Sequence, residues 1–200
     1  MAEAGTGIDG DAACPLEMWH VGCVVADIAL AARDYLALGA MGASAPTLLE
    51  TDIFDATAGR VWLEPLTIAW VGFGRDRPAI ELICPLEPDG PGSQARLLRQ
   101  RPGASHTAYW CADVVSAARY LMRLGAAPFI VPLRGAPGSH DHLDGAPFEQ
   151  VMAEAAAFYL KMPSGVLVEL NAARGRAFMA GKFGEASLAQ IPAPTLAGLV

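Results

Sequence analysis

The chain has 200 residues, 53% of them hydrophobic and 18% charged, enough apolar side chain to bury one substantial core or two small ones. A formal net charge of −7 argues against a broad nucleic-acid surface and against adhesion to acidic membranes. No apolar run reaches the roughly 18 residues of a membrane span, and the acidic, Gly-rich start MAEAGTGIDGDAACPLEM is neither a signal nor a transit peptide by composition.

Residues 1–15 read as a mobile tail. MWHVGCVV, short, β-branched and bounded by Pro15 and Asp27, is a strand candidate. Asp27 is then an N-cap for IALAARDYLAL, whose apolar residues recur at helical spacing, and Gly39 follows the last of them. A second strand falls somewhere between Ala45 and Val61. LTIAWVGFG and AIELICP are two more, ended by a Gly-Arg-Asp-Arg-Pro turn and by Pro85. Together these make one βαβββ module over residues 16–85.

A linker over 86–103 carries a short helix across SQARLLRQ. The pattern then restarts in a second βαβββ module over residues 104–172. SHTAYWC is its first strand, Asp113 caps VVSAARYLMRL, Gly125 ends that helix, and APFIVPL, AAAFYLKM and GVLVELNA supply the remaining strands. A Gly-, Pro- and His-containing loop spans 134 to about 150. Residues 173–200 form a C-terminal extension, with a helix expected across GRAFMAGKFGEASLAQI. The four cysteines Cys14, Cys23, Cys84 and Cys111 have no Cys-x-x-Cys spacing and read as small buried hydrophobes of a reducing compartment. The expectation is a soluble, cytoplasmic protein.

The two modules are written alike. HVGCVVADIALAARDYLALGA, from His20, and HTAYWCADVVSAARYLMRLGA, from His106, share nine of twenty-one positions at an offset of 86 residues. Neither half has enough strands to close a sheet. Side by side they form an α+β fold: one curved eight-stranded mixed sheet around a cavity.

Strand alternation sorts the side chains. His20 shares a face with Gly22 and Val24, opposite Trp19, Val21, Cys23 and Val25; His106 shares its face with Ala108 and Trp110. A lone Glu81 interrupts AIELI and a lone Glu169 interrupts VLVELN. The His-to-Glu separations are 61 and 63 residues. A carboxylate in an apolar strand is costly unless it is paired or bound to a cation. Two carboxylates and two neutral imidazoles offer nitrogen and oxygen donors to one divalent ion shared between the modules.

WHVGCVVAD, IELICPLEPDGPGSQARLLRQRPGASHTAYWCAD and GVLVELN together resemble the vicinal oxygen chelate superfamily, which includes glyoxalases, methylmalonyl-CoA epimerases and extradiol dioxygenases. The likeness runs from about residue 18 to 171 outside residues 41–65 and 134–150, and is strongest toward the epimerases. It implies a metal cavity with His20, Glu81, His106 and Glu169 as ligands, Ser105-His106 standing where a His-His pair is often found. It implies Zn, Ni, Co, Mn or Mg, which the residues do not distinguish. The partner is then a small carbonyl compound or a CoA thioester, with a homodimer allowed and neither nucleic acid nor membrane. The expected chemistry is proton abstraction beside a carbonyl through a metal-stabilised enolate, with Glu169 as the first choice of base and Glu81 the second. Alternatives are a glyoxalase-type lyase, a tailoring enzyme of secondary metabolism, a metal-free antibiotic-binding protein and an iron-dependent ring-cleaving dioxygenase. Elsewhere, His140, Asp141 and His142 read as a solvated loop or a substrate lid. Arg75, Arg77, Arg99 and Arg101 are the cations available to a phosphate.

Overall fold

The computed structural model describes residues 14–74 and 77–173. The expected tail up to residue 13, Arg75 and the helix expected across 175–191 lie outside the described residues.

The repeat begins each time with a strand and a capped helix. β1 (Glu17–Val24) leads into α1 (Ile28–Ala37), and β6 (Gly103–Cys111) leads into α3 (Val114–Arg123). Asp27 and Asp113, both in extended backbone, accept hydrogen bonds from the N–H groups three residues on, Leu30 at 2.9 Å and Ser116 at 2.7 Å. Gly39 and Gly125, at φ 97° and 92°, turn the chain out of each helix.

The remaining strands are β2 (Gly42–Ala43), β3 (Thr47–Asp55), β4 (Arg60–Gly72), β5 (Ala79–Pro85), β7 (Ala127–Pro132), β8 (Ala157–Lys161) and β9 (Leu167–Ala172). Around the sheet the order is β4-β3-β7-β8-β9-β6-β1-β5, and β5 pairs back onto β4, so eight strands close into a barrel. β2 adds to the far end of β4. At the centre β1 and β6 run antiparallel, with β5 parallel to β1 and β9 parallel to β6. This places the two halves about a pseudo-twofold between β1 and β6.

Three features depart from the expectations drawn above. The strand read as residues 66–74 starts at Arg60, because a nine-pair antiparallel ladder ties Arg60–Ile68 to Thr47–Asp55. The segment expected as a loop to about residue 150 contains a single 3-10 turn, Asp141–Leu143, and then α4 (Phe148–Glu154). Seven residues give too little periodicity to announce a helix; burial of Val151 and Met152 against the sheet makes it one. Trp19 is the third. The register of β1 on β6 shifts between Met18 and His20, and the bulge turns Trp19 inward beside His20 instead of onto the helix-packed face. There it stacks on Trp110 at 4.2 Å and on Trp70 at 5.3 Å between ring centroids.

Helix α3 has only ten residues and would be marginal alone. Ala117, Ala118 and Leu121 pack it onto Phe158, Leu160 and Leu170 of the second half. Each of those three side chains is fully buried, worth about 1.5–3 kcal/mol apiece. The linker helix α2 (Ser93–Gln100) is anchored differently. The buried Glu64 carboxylate, from β4, accepts from the N–H groups of Ser93, Gln94 and Ala95 and from Ser93 Oγ, at 2.8–3.2 Å. A Cβ on Gly92 would lie 2.3 Å from Glu64 Oε1, so glycine leaves the carboxylate its place.

Candidate metal centre and its cavity

His20, Glu81, His106 and Glu169 meet inside the barrel. Across the sheet, Glu81 of β5 lies beside Gly22 of β1, which lies beside His106 of β6. In the matching row, His20 of β1 lies beside Ala108 of β6, which lies beside Glu169 of β9. Each row therefore sets a small residue between an imidazole and a carboxylate. Space is the reason. A Cβ at Gly22 would fall 1.8 Å from His106 Cε1, so the His106 ring occupies the place of a side chain there.

The four donors converge. His20 Nε2 lies 3.1 Å from His106 Nε2, 3.2 Å from Glu81 Oε2 and 3.1 Å from Glu169 Oε2. His106 Nε2 lies 3.0 Å from Glu169 Oε2 and 3.6 Å from Glu81 Oε2. Donors about 2.1 Å from a divalent ion sit about 3.0–3.4 Å from one another, a range that holds four of these five distances, the His106–Glu81 separation of 3.6 Å lying just beyond it. All four residues are at most 7% exposed, and Oε2 of both glutamates is buried without a hydrogen bond of sound geometry. Two imidazole nitrogens facing each other between two such oxygens form a cluster that can hold a metal ion. The residues present fit a divalent cation.

Electrostatics favour charge separation within the cluster. Burial opposes protonation of both imidazoles, but Glu81 and Glu169 outweigh it, raising His20 and bringing His106 to about 9. Against burial, the same contacts draw both carboxyls below the ordinary carboxylate range.

Three residues outside the expected ligand set support the centre. Ser105 Oγ donates to Gly22 O at 3.1 Å and is thereby left to accept from His106 Nδ1 at 3.0 Å. That places the imidazole proton on Nδ1 and turns the Nε2 lone pair to the cluster. Tyr159, opposite Glu169 in the β8–β9 register, packs its ring 4.8 Å from His106. Burial first, then the two carboxylates, hold its phenol well above the ordinary range, so it remains a donor. Gly22 is the third, and its signal was visible: a glycine inside a strand marks a close approach.

Glu81 and Glu169 line a cavity of ≈ 1010 Å³, open mouth included, with Leu49, Ile53, Ile68, Ile83, Trp110 and Leu133 among its walls. The loop residues sort differently from expectation. His140 is buried, not solvated: its Nδ1 donates to Asp52 Oδ2 at 2.6 Å, and the N–H groups of Gly138 and Ser139 donate to the same carboxylate. Asp141 and His142 are exposed. Arg99 turns its guanidinium to the carbonyls of Pro88 and Gly90, while Arg77 and Arg101 are exposed.

The sequence profile described as Glyoxalase/Bleomycin resistance protein/Dioxygenase superfamily matches residues 19–142. The chain belongs to this superfamily. No curated protein matches it. Among solved structures, this superfamily member is similar to a 4-hydroxymandelate synthase mutant from Streptomyces coelicolor, at 17% identity and TM-score 0.50, over 93% of this chain and 57% of that one. Methylmalonyl-CoA epimerase from Mycobacterium tuberculosis aligns at 22% identity and TM-score 0.49, over 81% of this chain and 91% of that one. At these identities the first likeness shows the fold: an α+β superfamily barrel of two βαβββ halves. Among the described residues, no helix is long and apolar enough to cross a membrane.

Proposed function

We propose that this superfamily member is a metal-dependent enzyme of the isomerase or lyase type, which removes a proton from the carbon beside a carbonyl. Its substrate is a small carbonyl compound or a CoA thioester, and epimerisation is the first reaction to test. The observation that carries this reading is the buried set of two imidazoles and two carboxylates, with donor separations of 3.0–3.6 Å, whose glutamates line an apolar cavity.

His20, Glu81, His106 and Glu169 would hold the ion: Zn, Ni, Co, Mn or Mg. A divalent ion there supplies Lewis acidity, stabilising the negative charge that appears on a carbonyl oxygen as the neighbouring C–H proton leaves. Glu169 takes that proton, being a carboxylate on the cavity wall, beside Tyr159 in the β8–β9 register. Glu81, on the same cavity, is the second base. Delivery of a proton to the opposite face of the same carbon epimerises it; delivery to the neighbouring carbon isomerises the compound.

The test is turnover in deuterated water by the metal-loaded protein, with methylmalonyl-CoA first and α-ketohemithioacetals second. Deuterium should enter at the carbon beside the carbonyl without oxygen uptake. Glu169→Gln, nearly isosteric, should lower that rate by about a hundredfold or more while changing ligand affinity far less. Oxygen consumption with ferrous iron, and no exchange, would instead support a ring-cleaving oxygenase.

A further inference from the structure

The walls of the cavity carry chemistry that proton transfer does not use. They are mainly aliphatic and aromatic, and among the described residues neither Lys nor Arg lines them. Two carboxamides interrupt them. Gln94, in the first turn of α2, is 2% exposed, and its Oε1 has no hydrogen-bond partner. Its position is fixed, since its backbone N–H donates to Glu64 at 2.8 Å. Asn171 follows Glu169 by two residues on β9 and so shares its inward face; its Nδ2 also has no partner. A buried, unpartnered amide costs stability that leucine at the same place would not. Few polar groups on an apolar wall are the usual means by which a pocket orients what it binds.

We propose that the cavity selects a substrate whose body, beyond its two chelating oxygens, is apolar and uncharged and carries one neutral hydroxyl or amide read by Gln94 and Asn171. The inference rests on the metal-enzyme reading above and narrows its substrate class to the small carbonyl compound, away from the polyanionic CoA thioester. An anionic body would leave water and find no cation among the described lining residues, whereas a neutral polar group satisfies the two amides.

The test uses the full chain loaded with Zn or Mn and hydroxamates, which offer two adjacent oxygens to the ion. Benzohydroxamate should bind about tenfold or more tightly than acetohydroxamate, because the ring fills the apolar volume. The better of 3-hydroxy- and 4-hydroxybenzohydroxamate should gain about another tenfold, and 4-carboxybenzohydroxamate should lose about as much. In Gln94→Leu and Asn171→Leu the hydroxyl's advantage should shrink to about threefold or less, with benzohydroxamate affinity kept and Tm unchanged or raised. A carboxylate probe that binds as tightly as the hydroxyl probes overturns the proposal and leaves the proton-transfer reading standing. So does a hydroxyl preference that survives both substitutions, or one lost only together with a fall in Tm. A protein that holds no metal and binds none of the probes, acetohydroxamate included, contradicts the metal reading first and this proposal with it.

Discussion

At the scale of single residues, the centre depends on side chains that do not touch the ion's place directly. Ser105 sets the proton of His106 on Nδ1. Ser105→Ala should weaken Zn affinity by about 10–100-fold, the range found when the partner of a metal-binding histidine is lost, with the fold's circular dichroism retained. Gly22→Ala should do more, because its methyl group meets the His106 ring itself. Titration of both purified variants with Zn checks the pair. The cluster also gives the metal-free protein a characteristic pH profile. His106 titrates at about 9 in the fold, above the roughly 6.5 of an unfolded chain. Its pairing with the glutamates therefore stabilises fully below about pH 6.5 and is lost as pH rises through the folded value. Glu81 and Glu169, held below their ordinary range, stabilise above the usual carboxylate pKa and lose that contribution in acid. After EDTA treatment, Tm should fall between about pH 6.5 and 9, and excess Zn should abolish that fall. A flat Tm across this interval would contradict the pairing.

At the scale of elements, one carboxylate decides how the loop after β7 lies on the barrel. Asp52, between the cavity-lining Thr51 and Ile53, takes Gly138, Ser139 and His140. Burial alone would raise its pKa; the hydrogen bonds from Gly138, His140 and Ser139 bring it below the ordinary value. The loop's docking is therefore fully present above the usual carboxylate range and lost as pH falls through the lowered value. Asp52→Asn should speed hydrogen exchange of the 135–143 amides by about tenfold or more at neutral pH, with metal affinity unchanged. Unchanged exchange would show that other contacts hold the loop. This latch also shows where sequence reading stops. His140 lay in a Gly-rich, polar stretch, and nothing local said that a carboxylate 88 residues away would bury it. The same holds for the first residues of β4, made a strand by pairing with β3, and for α4, made a helix by the surface beneath Val151 and Met152.

At the scale of the whole molecule, the duplication was the most legible feature. The 86-residue offset, the Asp caps and the alternation in AIELI and VLVELN all depend on short-range periodicity, which one chain displays without an alignment. The pairing of β1 with β6 then brings matched residues to one point, and closure of β5 on β4 encloses it. Trp19 escaped because a single bulge reverses alternation, and Gln94 because a linker helix gives no sign of which side chain it lends to a cavity. The duplicated architecture makes sense if each half brings one imidazole and one carboxylate to a single ion. The most direct measurement is calorimetric titration of the EDTA-stripped chain with Zn, Mn, Co and Ni, together with elemental analysis of the protein after dialysis. About one ion per chain is expected, lost when either His20 or His106 is replaced by Ala, because each half supplies part of one site. No binding by any of the four ions, or binding that survives both replacements, would contradict it.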